Sequence, residues 1–203
     1  MVKANVVVGL VGLVIAAVAG AVIVANWDSL ADIHTYEVQV ESDSDGRHLA
    51  GATPAGDTDR VVVWVRQPNV TSLSGSFVWQ DRTPQDEAAH VTLTITDPAG
   101  DEVFSQARRG GGAQGFSFNV AYVDEVPAPT LYRETEATAQ TRFAADYPEL
   151  EEGTGNWTFT ITVEPYGGSL PLGAGDVAWD LDLSWTHYSA RLVQVEDIDF
   201  RGK

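Results

Sequence analysis

The sequence predicts an all-β protein: an antiparallel two-sheet β-sandwich, Ig-like or jelly-roll, behind an N-terminal single transmembrane helix. Three observations carry this. Short runs that alternate apolar and polar residues recur along most of the chain after Thr35, with no sustained helical period. Clusters of Gly, Pro, Asn and Asp separate those runs. One further run, Val6–Ala25, holds no charged or strongly polar residue. At about 20 residues it is long enough to cross a hydrocarbon core of roughly 30 Å.

The domain plan follows: a cytoplasmic tail at 1–5, the helix at 6–25, a juxtamembrane linker at 26–34 and an extracellular sandwich at 35–203. Lys3 lies on the near flank of the helix and Asp28 and Asp32 on the far one, which keeps the N-terminus in the cytoplasm and sends the rest out. Small-residue sites at Ala17–Ala19 and Ala19–Ala21 leave a cleaved signal peptide open, although the apolar run continues past both. Gly12, Ala16 and Gly20 recur every fourth residue and form a stripe on which a second helix packs closely.

Strands are expected at Thr35–Val40, Arg60–Arg66 with Trp64 inside, Ser76–Gln80, His90–Thr96, Glu102–Gln106, Gly115–Val123, Asn156–Glu164 and Val177–Tyr188. Ser189–Phe200 forms a last strand or an acidic tail. Asp97-Pro98-Ala99-Gly100 is a hairpin turn, and Arg108–Gly112 reads as an exposed tip. An insert at 124–155 interrupts the rhythm, with a short helix expected over Tyr132–Tyr147. The candidate core is Trp64, Phe77, Trp79, Leu93, Ile95, Phe104, Phe118, Trp157, Phe159, Ile161, Trp179, Leu181, Leu183 and Trp185.

The order VTLTITDPAGDEVFS, then GFSFNV, then GNWTFTITVE, over about residues 90–165, resembles Golgi-dynamics-type and related jelly-roll accessory domains. The resemblance implies a non-catalytic sandwich and transfers no functional residue. The long insert and the lack of cysteine depart from the animal and fungal pattern.

Composition narrows the function. The net charge is −17, from 29 acidic and 12 basic residues. That excludes nucleic-acid binding through bulk charge, which needs clustered Lys and Arg. Lys3 and Lys203 are the only lysines, and this Lys-poor, Asp-rich composition resembles haloarchaeal envelope proteins. The absence of cysteine excludes disulfides, thiol catalysis and Cys-ligated metals. Glu41, Asp43 and Asp45, followed by Gly46, are spaced as oxygen ligands of a Ca²⁺ loop, against the alternative of a solvated acidic loop. Asn69 and Asn156 begin N-glycosylation sequons, Asn69 being the better acceptor by its loop setting. His34, His48, His90 and His187 show no metal-ligand spacing.

The expected function is that of a non-enzymatic structural or interaction protein of the cell envelope, or an accessory subunit of a membrane complex, with no cofactor beyond the candidate Ca²⁺. Its protein partner is met through the membrane helix or the insert at 124–155. The alternatives are a self-assembling subunit of a surface filament or layer, hence a homo-oligomer, and a carbohydrate-binding module.

Overall fold

The computed structural model describes residues 33–81, 89–110, 112–123, 125–164 and 176–195. Among them the chain forms β1 (Ile33–Pro54), β2 (Thr58–Val65), β3 (Val70–Asp81), β4 (Ala89–Thr96), β5 (Glu102–Gly110), β6 (Ala113–Ala121), β7 (Leu131–Thr135), α1 (Glu136–Asp146), β8 (Gly155–Val163) and β9 (Asp176–Val195). One sheet has the order β6-β3-β9-β1-β7 and the other β2-β8-β4-β5. Apart from β7, this is the winding of a jelly roll, two interleaved four-stranded sheets. It decides between the two sandwich types the sequence left open.

The described residues group into two compact units. The larger takes 40–128 and 149–190, and its core lies between the two sheets. The alternation in β4 turns Val91, Leu93 and Ile95 inward, and that in β8 does the same for Trp157, Phe159, Ile161 and Val163. Leu73, Phe77 and Trp79 of β3 and Val177, Trp179, Leu181, Leu183 and Trp185 of β9 belong to the same cluster. Each such side chain contributes on the order of 1.5–3 kcal/mol when fully buried. Gly51 makes room for Trp179, since a Cβ there would stand 2.3 Å from the indole. The indole Nε1–H then donates to Thr53 Oγ1 at 3.0 Å.

The smaller unit takes 33–39, 129–148 and 191–195. Here the start of β1 pairs with β7, from Ile33 opposite Thr135 to Glu37 opposite Leu131. Tyr36 and Tyr132 face each other in that ladder and are both buried. Tyr132 donates its hydroxyl to Asp146 at 2.8 Å, and the Arg142 guanidinium lies 5.1 Å over its ring while also pairing with Glu134. Phe143 and Tyr147 stack at 5.5 Å, and Tyr147 donates to Thr130 Oγ1 at 2.9 Å.

Several expectations change. Trp64 is 59 % exposed, not core. Its neighbours Val63 and Val65 stand opposite Trp157 and Gly155, so the strongly alternating β8 sets the register and Trp64 turns outward with Asn156. β1 runs unbroken through Glu41–Gly46, where a loop was expected, because it pairs alongside β9. β3 starts at Val70 and continues through Gly75. Arg108–Gly110 is no tip: it completes β5, opposite Val91, His90 and Ala89. The insert supplies a strand as well as a helix, and Leu131 is 66 % exposed. Phe104 is partly buried against the core. The tail, the apolar run 6–25 with Gly12, Ala16 and Gly20, and most of the linker lie outside the described residues. Among the described residues no helix is long and apolar enough to cross a membrane.

Candidate interaction surface

The outer face of the four-stranded sheet is assembled from alternate residues of β2, β8, β4 and β5. Thr58 stands opposite Thr162, and Thr162 opposite Thr92. Arg60, Thr160, Thr94 and Ser105 make the next row, and Val62, Thr158 and Thr96 the one after. Trp64 and Asn156 close the array. Hydroxyls join neighbouring strands, Thr58 to Thr162 at 3.2 Å and Thr94 to Ser105 at 3.3 Å. Short hydroxyl side chains leave this face low in relief, and Val62 (50 % exposed) and Trp64 stand above it. The Arg66 guanidinium lies 4.7 Å from the Trp64 ring centroid.

Charge is distributed unevenly around the larger unit. At the outward positions of these four strands the only carboxylate is Glu102, beside the register shift in the β4–β5 ladder. Just past β8, Glu164 pairs with His90 at 2.7 Å. The outer face of the other sheet differs. Asp180 and Asp182 project from β9, with the His48 imidazole 3.6 Å from the first and 2.7 Å from the second. Beside them Val78, 43 % exposed, stands opposite Asp180 on one side and Gly115 on the other. Much of that face is again short, Ser72, Ser74 and Ser76 of β3, Ser184 and Thr186 of β9 and Ser117 of β6, with the amides of Gln80 and Asn119 among them.

The residues singled out from sequence scatter over the fold. Glu41, Asp43 and Asp45 lie on an extended strand instead of a loop. Alternate residues there stand roughly 6.6 Å apart, so the three carboxylates point in parallel and do not converge. Asp45 is already used: it accepts from Gln67 Nε2 at 2.6 Å and faces His187 Nε2 at 3.5 Å. Among the described residues no three His, Asp or Glu side chains are grouped to hold a metal ion, and the calcium-loop reading gives way to a strand edge. Asn69 is a structural residue, 7 % exposed at φ 56°. Its Nδ2 donates to Tyr188 O at 3.2 Å and its Oδ1 accepts from Leu150 N at 2.7 Å. The fold thus encloses the amide that the sequon reading needs free. Asn156, ranked second, is the exposed one.

Each unit also carries a cleft. One, of about 330 Å³, lies in the larger unit between the β4–β5 turn and residues 151–154. In it Tyr122 packs edge-on to Trp157 at 5.7 Å and reaches Asp97 Oδ2 at 3.4 Å. Burial, and then the Asp97 carboxylate, push the Tyr122 phenol above its usual range. The other, of about 430 Å³, is bordered by His34, Tyr36, Glu136 and Gln140 in the smaller unit.

No protein-family model and no curated protein sequence matches the chain. Among solved structures it is similar to a subunit of disulfide-linked pili from Bacillus endospore appendages, at 9 % identity and TM-score 0.35 over 73 % of this chain and 89 % of that one. It is also similar to the CBM36-1 domain of a multidomain xylanase from the hindgut metagenome of Trinervitermes trinervoides, at 14 % identity and TM-score 0.33 over 72 % and 95 %. A third is the VP2 subviral particle of infectious bursal disease virus, at 12 % identity and TM-score 0.36 over 78 % of this chain and 37 % of that one. These are likenesses between β-sandwiches, and likenesses of this size carry no function across. The disulfide linkage of the pili has no counterpart in a chain without cysteine. The chain is a jelly-roll-like, two-sheet antiparallel sandwich with a hydroxyl-lined, nearly carboxylate-free outer face.

Proposed function

We propose that the chain is a non-enzymatic structural and interaction protein of the cell envelope, held by a single membrane helix over 6–25 with the sandwich outside. The observation that carries this reading is the Val62–Trp64 stripe. An indole exposed to 59 % on a sheet face with a single outward carboxylate, Glu102, supports a docking role for that face. The protein's net charge of −17 keeps molecules hydrated and apart in general, so contact is favoured where carboxylates are few. Arg66 already occupies space over the indole, which disfavours a stacked sugar as the ligand and favours a protein surface. Within the 124–155 insert, Val126 of the larger unit and Leu131 of the smaller are each exposed as well.

Hydroxyl-radical footprinting tests the reading. Trp64 is expected to be oxidised readily in the purified chain and protected in intact cell envelopes, with buried Trp79, Trp157 and Trp179 unreactive in both. Equal oxidation of Trp64 in both settings would overturn it.

A further inference from the structure

We infer that the partner of this face is a second copy of the chain, docking through its opposite face. The contact sets the outer side of β2-β8-β4-β5 in one copy against the outer side of β6-β3-β9-β1 in the next. It rests on the docking reading above and names the occupant. Three properties of the two faces match. The first presents Val62 and Trp64, and the second presents Val78. Arg60 and Arg66 flank the apolar stripe on the first, while Asp180 and Asp182 flank Val78 on the second. Around these spots both faces carry Ser and Thr, whose short side chains let two sheets approach to roughly 10 Å.

The arrangement follows from the charge pattern. Turning two copies so that equal faces meet would bring together two faces of like net charge, Arg60, Arg66 and Arg109 against the single Glu102 on the one, Asp180 and Asp182 around His48 on the other. Opposite faces in contact pair the charges. Because the two faces belong to one compact unit and differ, the contact is heterologous: each copy keeps a free face of the other kind, and the association grows into a row or closes into a ring. The sheet spans roughly 19 Å by 26 Å, about 500 Å². That is below the ~800 Å² per partner of a standard stable interface. The contact is therefore weak in isolation and is realised where copies are concentrated, as on a cell surface.

The lack of cysteine gives a clean test. In full-length chain in intact cells, Thr160→Cys together with Ser76→Cys, or Thr94→Cys with Ser74→Cys, is expected to give a ladder of disulfide-linked dimers, trimers and higher species on mild oxidation. Thr160→Cys alone is expected to stay monomeric. Arg60→Glu with Arg66→Glu removes the ladder, and Asp180→Lys with Asp182→Lys in the same chain restores it. Restoration shows that the first pair of substitutions had not simply unfolded the protein. No ladder from either cysteine pair, or dimers from Thr160→Cys alone, overturns the proposal. Protection of Trp64 without a ladder leaves the docking reading standing and removes the second copy as its occupant.

Discussion

Asn69 shows what one side chain does when the backbone around it is left-handed. Its main chain exchanges bonds with Leu150 O (2.8 Å) and Tyr188 N (3.2 Å), and its amide with Leu150 N and Tyr188 O. One residue thereby ties the β2–β3 turn to the end of the insert and to β9. Asn69→Ala loses two side-chain hydrogen bonds at about 1 kcal/mol each, and up to about 1 kcal/mol more because alanine lacks the polar side chain that lets asparagine settle in the left-handed region. A loss of about 2–3 kcal/mol is expected, read as a lower urea midpoint at unchanged slope. Trp64 and Trp157 stand opposite Asn156 and Val63 on adjoining strands, yet their replacements diverge. Trp157→Ala empties a fully buried site and costs about 3–5 kcal/mol, whereas Trp64→Ala changes stability by less than about 1 kcal/mol. Equal losses in thermal melts would contradict the outward placement of Trp64. Neither role was legible from local sequence. Asn69 follows Pro68 and opens Asn-Val-Thr, which reads as a glycosylation loop, and RVVVWVR is apolar at both parities, so alternation alone cannot say which set faces in.

At the scale of elements, legibility tracks how strictly a strand alternates. HVTLTIT and NWTFTITVE place Thr on one face and large apolar residues on the other, and the structure follows both. The acidic stretch Glu41–Gly46 carries no such pattern, because a strand edge lined with carboxylates looks like a loop until its neighbour is known. The β7–α1 segment is a second case. Its strand is only five residues long and is specified by pairing with the start of β1. That segment also makes a pH prediction. Burial, reinforced by the hydrogen bond to Asp146, raises the Tyr132 phenol to about 12, against about 10 in an unfolded chain. The unfolded state loses its proton first as pH rises. The stabilisation from the neutral phenol is therefore complete below pH 10 and disappears between about pH 10 and 12. Thermal melts of the wild type are expected to fall more steeply over that window than those of Tyr132→Phe. Parallel curves would exclude the role.

For the whole molecule, net charge and shape act together. A charge of −17 works against the compact state through self-repulsion, which added salt screens over a Debye length shrinking from about 30 Å at 0.01 M to about 3 Å at 1 M. The thermal midpoint is expected to rise markedly between 0.01 and 1 M NaCl. A flat response would show that the carboxylates are spaced too widely to repel. High salt also weakens the Arg–Asp pairing proposed between copies. The exposed apolar stripes then carry a larger share of the contact.

By itself the sequence determined the class of fold. Strict alternation in β4, β8 and β9 leaves no other way to bury their aromatic and aliphatic residues, and the absence of cysteine, the scarcity of lysine and the excess of carboxylates need no structure to be read. The tertiary structure alone decided which winding the sandwich takes, which way Trp64 points, and that Asn69 is enclosed while Asn156 is open. It also decided that Arg60 of β2, with Arg66 just past it, and the aspartates of β9 lie on opposite faces of one unit. Each of these depends on pairing between strands distant in the chain. Register transmits the face of one strand to its neighbour, and no local pattern contains it.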